Sequence, residues 1–458
     1  MNWNSRILPL QYLFIFGLIF IFFSNPVFSQ NENKPNILII FTDDQGYHDV
    51  SYYGTQDLNT PNIDALRADG MRFDYFYTNS PVCAPTRASL MTGRYPDRVG
   101  VPGLIRFKPE DNWGFLDPSA VLLPAKLKDA GYHTAHIGKW NLGLTSPNLP
   151  NQKGFDLFHG WLEDMMEDYV DKRRNGFNYM RLNEQEIDPA GHATDLFSQW
   201  AVDYIESRED EEDPFFLYLA YNAPHFPVQP PKEYLDRVKA RDPNLPDRRA
   251  NLIALIEHMD DGIGQVIKTL KETGQYENTL IIFTSDNGGH LPDMANNGDL
   301  RDGKQSMYEG GLRVPMVAVW PGKIKAGSTS SQINTTMDVY PTLVELTGLD
   351  QRDDMDGRSF MNTLLGNESP ESRELYFVRR EGGIRYGGKA YHALRLGDWK
   401  LLQNSPYQPL ELYNLKDDPR EQHDLAKEQP EKVQELNRLL MKHIQAGGQV
   451  PWQRSKEK

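Results

Sequence analysis

The chain predicts an α/β fold: a large, mostly parallel β-sheet sandwiched by helices, followed by a small C-terminal antiparallel sheet with one helix. Three observations carry this. Short apolar, β-branched runs alternate with stretches of helical period through most of the chain, the pattern of a parallel sheet covered on both faces. Two of those runs, NILIIFTDDQG and TLIIFTSDNGG, are near copies, each passing from apolar residues to carboxylates or amides and then to glycine. After about residue 373 the pattern changes to hairpin-like segments and one long amphipathic helix.

The elements follow in order. Residues 1–29 begin with Arg6 ahead of an apolar run from Tyr12 to Phe23, with Val27 and Ser29 at the spacing of a cleavage site. The run is shorter than the roughly 20 residues that cross a bilayer, so it reads as a secretory signal peptide and not as a membrane anchor. Ile37–Thr42 is a buried strand. Thr60, Pro61 and Gly70 punctuate a helix as N-cap, first turn and stop. A second helix is expected over Pro85–Thr92, stopped by Gly93, and a further helix ending at Gly131 leads into a strand at His133–Ile137.

Residues 141–190 read as long excursions from the core. A helix over His192–Glu206, with Leu196, Trp200 and Ile205 inward, precedes the strand FFLYLAY. Leu252, Leu255, Met259, Ile263, Val266 and Leu270 mark one face of a long helix that leads into TLIIFTS. VPMVAVWPG is another buried strand and MDVYPTLVELTG another helix. YHALRLGDWKLLQN predicts a hairpin turning at Gly397 and Asp398, ELYNL a short strand, and 422–445 the last helix. The expected division is a signal peptide at 1–29, a catalytic domain at 30–373 and a C-terminal subdomain at 374–458.

The balance of 49 basic and 64 acidic residues, a net charge of −15, argues against nucleic acid as a partner. An acidic chain still binds an anion where a few cations converge. One cysteine, Cys83, precludes an internal disulfide, so a large core must supply the stability. An unpaired thiol in an exported chain is a buried filler, an intermolecular link or the chemistry itself.

Asp43, Asp44, Asp286 and Asn287 follow the two similar strands. If those strands are neighbours, four oxygen donors converge, a set suited to Ca²⁺ or Mg²⁺. As single pairs they also fit turn and cap positions. Cys83 lies ahead of a helix whose free N–H groups favour an anion, and Arg87 sits one turn later. Lys139 and Lys304 follow a strand and a long loop, and with Arg87 they can supply a positive pocket, although each alone also reads as a surface lysine. His225, in APHFP, is a candidate general acid, or a turn histidine. His290, in DNGGH, is a secondary candidate beside the proposed metal edge. His133 and His136 read as strand packing or surface.

CAPTR, with Gly93 and Arg94 following, arrives in order with PNILIIFTDDQG, IGKW, PHFP, FTSDNGG, YEGGLRVP and YNL. Over about residues 35–420 this resembles the formylglycine-dependent sulfatases of the alkaline-phosphatase-like superfamily. The resemblance implies that Cys83 is oxidised to formylglycine by a formylglycine-generating enzyme during maturation. The aldehyde hydrates, one hydroxyl attacks sulfur as the sugar oxygen leaves, and the second hydroxyl then loses its proton and expels sulfate. The resemblance further implies Ca²⁺ on Asp43, Asp44, Asp286 and Asn287. Arg87 would steady the hydrated aldehyde, Lys139 and Lys304 would hold sulfate oxygens, and His225 would protonate the leaving oxygen. Where the family reads GKWHLG this chain reads GKWNLG: Asn141 stands where a histidine contacts the nucleophile, and asparagine is no base near neutrality. Asn141 and His290 are therefore grouped with the sulfate-side residues.

The implied function is hydrolysis of carbohydrate sulfate esters by a periplasmic or secreted enzyme with no stable membrane anchor. The substrate would be a sulfated oligo- or polysaccharide, with algal material such as ulvan favoured. Tyr47, Trp113, Trp161, Tyr169 and Tyr179 are candidate sugar-stacking residues, and Arg173, Arg174 and Arg385 candidate readers of a second anion. The alternatives are a formylglycine-dependent phosphomonoester or phosphonate-ester hydrolase, and a noncatalytic glycan-binding protein on the same scaffold.

Overall fold

The structure is a computed structural model; it describes Met1, residues 34–108, 111–368, 372–381 and 390–454. The signal peptide expected at 1–29 and Arg385 lie outside the described residues.

The strands are β1 (Asn36–Thr42), β2 (Met71–Phe73), β3 (Phe76–Tyr77), β4 (His133–Lys139), β5 (Leu157–Trp161), β6 (Met180–Leu182), β7 (Gln185–Glu186), β8 (Phe215–Ala220), β9 (Thr279–Ser285), β10 (Met316–Val319), β11 (Ser328–Ser330), β12 (Asn334–Thr335), β13 (Glu374–Arg380), β14 (Ala390–Leu396), β15 (Trp399–Gln403) and β16 (Glu411–Asn414). Among the described residues, ten of them form one sheet in the order β11-β2-β10-β9-β1-β8-β4-β5-β6-β7. The central strands β9, β1, β8, β4 and β5 are mutually parallel. The flanks turn antiparallel at β10 and at β6. The segment read as excursions over 141–190 thus contributes three strands to the main sheet. β6 and β7 are only two or three residues long at the end of the sheet, and β5, LFHGW, breaks its apolar residues with His159 and Gly160, so none of the three shows a clear strand pattern in sequence.

The alternation along β1 shows how the sheet is covered. Ile37, Ile39 and Phe41 pack against α2 (Cys83–Thr92), α3 (Leu123–Asp129) and α8 (Val339–Thr347). Leu38 and Ile40 face the other way, onto α1 (Pro61–Asp69), α4 (Ala193–Glu206) and α6 (Asp247–Glu272). Such two-sided burial is why the strand is apolar throughout and not alternating. The α6 face is the predicted one, with Leu255, Met259, Ile263, Val266 and Leu270 all fully buried. Each such side chain stabilises the fold by about 1.5–3 kcal/mol. On α4 the deepest residues are Phe197, Ala201, Tyr204 and Ile205, while Leu196 and Trp200 sit at the margin.

A separate meander, β13-β14-β15-β16, is antiparallel throughout. Its β14–β15 hairpin turns at Gly397 and Asp398 as predicted, with Gly397 at φ 60°. The last helix, α10 (Pro430–Ala446), lays Leu436 and Leu440 on Tyr376, Val378, Leu394 and Leu401. It starts eight residues later than the sequence reading. Asp418 accepts from Gln422 N and His423 N, and Asp424 from Ala426 N, which holds the chain in turns until Pro430 opens the helix.

Candidate functional site

The site is built where central strands end. β1 and β9 pair in register, Thr42 opposite Ser285, so the two near-copy segments leave the sheet side by side. The Asp286 N–H donates to Thr42 O at 3.1 Å, and the Asp44 N–H to Asp286 Oδ1 at 3.2 Å. Asp44 takes φ 67°, a left-handed turn that aspartate tolerates better than most residues. β4 delivers Lys139 to the same edge, and the loop after β8 delivers His225. Gly138, at φ 104°, lets β4 close on β8: a Cβ there would stand 1.9 Å from Ala220 O.

α2 begins at Cys83, two residues earlier than expected, because proline at the third position falls where no intrahelical N–H bond is needed. Cys83 is therefore in the first turn, with Arg87 one turn on, and both are buried. Cys83 Sγ lies 3.3 Å from Asp43 Oδ1. Arg87 donates to Asp286 Oδ2 from Nε and Nη2, at 3.1 and 2.7 Å, and from Nη1 to Lys139 O at 3.2 Å. Lys139 Nζ donates to Asp43 Oδ2. Lys304 Nζ stands 2.7 Å from the Asp44 carboxylate. His225 Nε2 faces Asp44 Oδ2 at 3.6 Å, while its Nδ1 bonds Phe226 O at 2.7 Å. That carbonyl can only accept, so Nδ1 carries a proton and Nε2 is the exchangeable nitrogen.

The charges respond to one another. Burial pushes the Cys83 thiol well above its ordinary range, reinforced by Asp286 and Asp43. Burial, then Asp43, raises Asp286. Burial also works to raise Asp44, but Lys304 and then His225 hold it below the usual carboxylate range. Burial and Lys304 push His225 down to about 3.

The donor set fits a hard divalent cation. Asp43, Asp44, Asp286 and Asn287 are at most 2% exposed, all offer oxygen, and Asn287 Oδ1 is a buried acceptor without a hydrogen-bond partner. The Asn287 amide nitrogen is turned to Asp44 Oδ1 at 2.8 Å. Three carboxylates and an unmet amide oxygen at one point suit Ca²⁺ or Mg²⁺ in preference to a softer metal.

Two of the predicted residues stand apart from this contact network. His290 Nδ1 pairs with Asp293 at 2.6 Å, and its ring lies 5.4 Å from Phe226, which stacks on His225. Asn141, at φ 55°, donates its amide to Ile105 O at 3.0 Å, and its Oδ1 has no partner. Of the stacking candidates, Tyr47, Trp161 and Tyr169 are core residues and offer no face to a sugar, while Trp113 stacks on Trp452 at 4.4 Å. Arg173 is paired with Asp188, and Arg174 with Glu163, Asp164 and Glu167. His136 is packed on Tyr218 and Phe158. Sequence reasoning missed Tyr218, whose hydroxyl lies 3.4 Å from Arg87 Nη1. A tyrosine inside an apolar strand reads as core, and only the fold shows what its hydroxyl reaches.

An anion pocket and a hard-cation cradle sharing one edge of a doubly covered sheet define a hydrolase of anionic esters on an alkaline-phosphatase-like fold. The family description "Sulfatase" matches residues 35–349, and "N-sulphoglucosamine sulphohydrolase, C-terminal" matches 301–447. The chain belongs to the sulfatase family and is a sulfuric ester hydrolase. It is 33% identical to mouse (Mus musculus) N-acetylgalactosamine-6-sulfatase over 388 residues, covering 80% of this chain and 71% of the relative. It is 30% identical to Arylsulfatase J of the same organism, covering 82% and 65%. The crystal structure of Ps i-CgsB in complex with k-i-k-neocarrahexaose superposes with a TM-score of 0.84 at 32% identity, covering 92% of this chain and 95% of that one.

Proposed function

We propose that the protein removes sulfate from carbohydrate sulfate esters, using a formylglycine made from Cys83 and a Ca²⁺ held by Asp43, Asp44, Asp286 and Asn287. The observation that carries this is the 3.3 Å approach of Cys83 Sγ to Asp43, with Arg87 one helical turn away on Asp286. A formylglycine at position 83 would supply, as its hydrate, an oxygen nucleophile toward sulfur, and a divalent cation on Asp43, Asp44, Asp286 and Asn287 would supply positive charge for the sulfate group.

The chain's own residues do the rest. Arg87 is locked by Asp286 and Lys139 O, so it presents fixed positive charge next to position 83. Lys139 and Lys304 each have three N–H donors and spend one on a carboxylate, which leaves hydrogens for sulfate oxygens. His225 is oriented by Phe226 O so that Nε2 faces the Asp44 carboxylate; burial and Lys304 leave that nitrogen bare near neutrality, so it would give a proton to the leaving sugar oxygen only once the negative charge of bound substrate raises its affinity for one. Asn141 offers an acceptor and no base, so expulsion of sulfate proceeds here without a histidine at that position.

The relatives' names support a galactosamine- or galactan-type sulfate as the first substrate class, with ulvan as a further member of the panel. The same reading includes export by way of residues 1–29, periplasmic or secreted location, maturation by a formylglycine-generating enzyme, and a catalytic domain over 30–373 with a subdomain over 374–458. Among the described residues no helix is long and apolar enough to cross a membrane.

The test is to coexpress the chain with a formylglycine-generating enzyme and challenge it with N-acetylgalactosamine 6-sulfate, carrageenan oligosaccharides, ulvan oligosaccharides and matched phosphate esters. Peptide mass at position 83 is measured in parallel. Sulfate release that tracks the fraction in which –CHO has replaced –CH₂SH is the expected result. Release by unconverted protein, or turnover of phosphate esters alone, overturns the reading.

A further inference from the structure

The loop that carries His225 is fastened from behind by a buried tyrosine. Tyr169 is 1% exposed, and its hydroxyl lies 2.8 Å from Asn222 O and 2.9 Å from His225 O. Both carbonyls can only accept, so one O–H is shared between the two. Asn222 O also accepts the His225 N–H at 2.9 Å, so the tyrosine closes on the two ends of one tight turn.

Tyr169 is itself held in place by the start of α4. Its carbonyl accepts from the N–H of Ala193, the first residue of that helix, at 2.9 Å, and its ring stacks on His192 at 5.0 Å. Its own N–H donates to Gln229 Oε1 at 2.9 Å. Gln229 ends the same loop: its carbonyl accepts from His192 Nε2 at 2.9 Å, and its Nε2 donates to Asp168 Oδ2 at 3.1 Å. Residues 168–169 thus pin the loop 222–229 at both ends.

The histidine needs such an anchor. Its Nδ1 bonds Phe226 O, the next residue, so that contact moves with the loop and fixes the ring only relative to its own backbone. The sheet reaches as far as Ala223, whose carbonyl accepts from Asp43 N at 3.1 Å. Beyond it, the 3.6 Å between His225 Nε2 and the Asp44 carboxylate depends on where the turn is held. Tyr169 does not meet substrate itself. It is buried, its hydroxyl is spent on the two carbonyls, and burial reinforced by Asp43 and Asp44 keeps that hydroxyl protonated.

We propose that Tyr169 is a positioning residue for proton donation: its hydroxyl fixes the turn from Asn222 to His225 so that His225 Nε2 meets the oxygen that leaves sulfur. This rests on the function proposed above. A displacement of about 1 Å at a reacting group costs on the order of a hundredfold in rate. The cost falls only where the leaving oxygen needs a proton, as a sugar alkoxide does and a nitrophenolate does not.

The test is Tyr169→Phe, which keeps the ring and removes the hydroxyl. Sulfate release is measured from the sugar sulfate that wild type turns over fastest and from 4-nitrophenyl sulfate. The expected result is a fall in kcat of at least tenfold on the sugar ester, with KM within twofold of wild type, and a fall of less than threefold on the aryl ester. Both esters are read on one preparation, so a smaller folded fraction cancels in the ratio. An equal fall on both esters overturns the positioning role. The double variant with His225→Ala decides the matter on the sugar ester alone: removing the hydroxyl should there cost less than twofold, and a further tenfold loss overturns the role. His225→Ala protein that loses no more on the sugar ester than on the aryl ester sinks the proton-donor assignment, and the positioning role with it, while sulfate release dependent on Cys83 stands. Converted wild-type protein that releases no sulfate from either ester sinks the function itself.

Discussion

Arg87 grips Asp286 by a single oxygen: Nε and Nη2 both point at Oδ2, and Oδ1 is left to the backbone N–H of Asp44. One carboxylate thus fastens α2 to β9 with one oxygen and fixes the turn after β1 with the other. Arg87→Met removes the partner and leaves a buried charge, a change that costs about 3–5 kcal/mol where a buried pair is broken. Thermal unfolding should show that loss, and sulfate release should fall at least a thousandfold. Retention of more than a tenth of the wild-type kcat would refute the assigned role.

Cys83→Ala should abolish sulfate release with little change in unfolding temperature. The residue fills little volume, and its one polar contact is the weak one to Asp43. Calorimetry separates this outcome from general unfolding. A fully active alanine variant would end the mechanism.

Removing divalent cations should lower both activity and stability, because the three carboxylates lose the charge that lets them share one site. A cation present at a hundred times its Kd stabilises the fold by about 2.7 kcal/mol. Chelation followed by calcium or magnesium addition, read by unfolding temperature and by sulfate release, should restore both together. Recovery of neither would contradict the assigned ligands.

A buried triad away from the site predicts a pH dependence. Lys400 stands 2.9 Å from both Glu309 and Glu421, and two carboxylates cannot both ionise freely against one ammonium. Burial works to raise Glu309, but Lys400 and then Arg395 bring it down to about 2. Burial raises Glu421 to about 7, against the pull of Lys400. A lowered carboxylate contributes stability that is complete above its unfolded value and is lost as pH falls from about 4.5 to about 2. A raised one has the opposite sign, and its contribution is lost as pH rises from about 4.5 to about 7. Glu309→Gln should therefore destabilise at neutral pH, whereas Glu421→Gln should be neutral or stabilising and should flatten the loss of stability between pH 5 and pH 7. Denaturant titrations across pH check both, and equal effects from the two variants would refute the division.

The parallel core, and the meeting of Asp43, Asp44, Asp286 and Asn287 at one sheet edge, were legible because they rest on local pattern. Two apolar runs of similar sequence ended in the same chemistry, and neighbouring parallel strands brought those ends together. The strands β5, β6 and β7 were not legible, since strands of two or three residues and the broken run LFHGW show no period to read. The start of α2 was misplaced by reading Pro85 as the first helical residue, when a proline is tolerated anywhere in the first turn. For Tyr47, Trp161 and Tyr169 the sequence left two readings, sugar stacking and anchoring, because an aromatic looks alike in either role; burial decides for anchoring, Trp161 at the end of β5 and the other two outside the strands.

Cys83 is 1% exposed in the finished fold. On the proposed formylglycine chemistry no second protein could lay hands on it there, so conversion would have to happen while the chain is still open. The yield of working enzyme would then be a race between two clocks, tailoring and closure. Chain that closes first is stranded: adding the converting enzyme to folded protein should recover nothing, whereas unfolding and refolding in its presence should raise the active fraction.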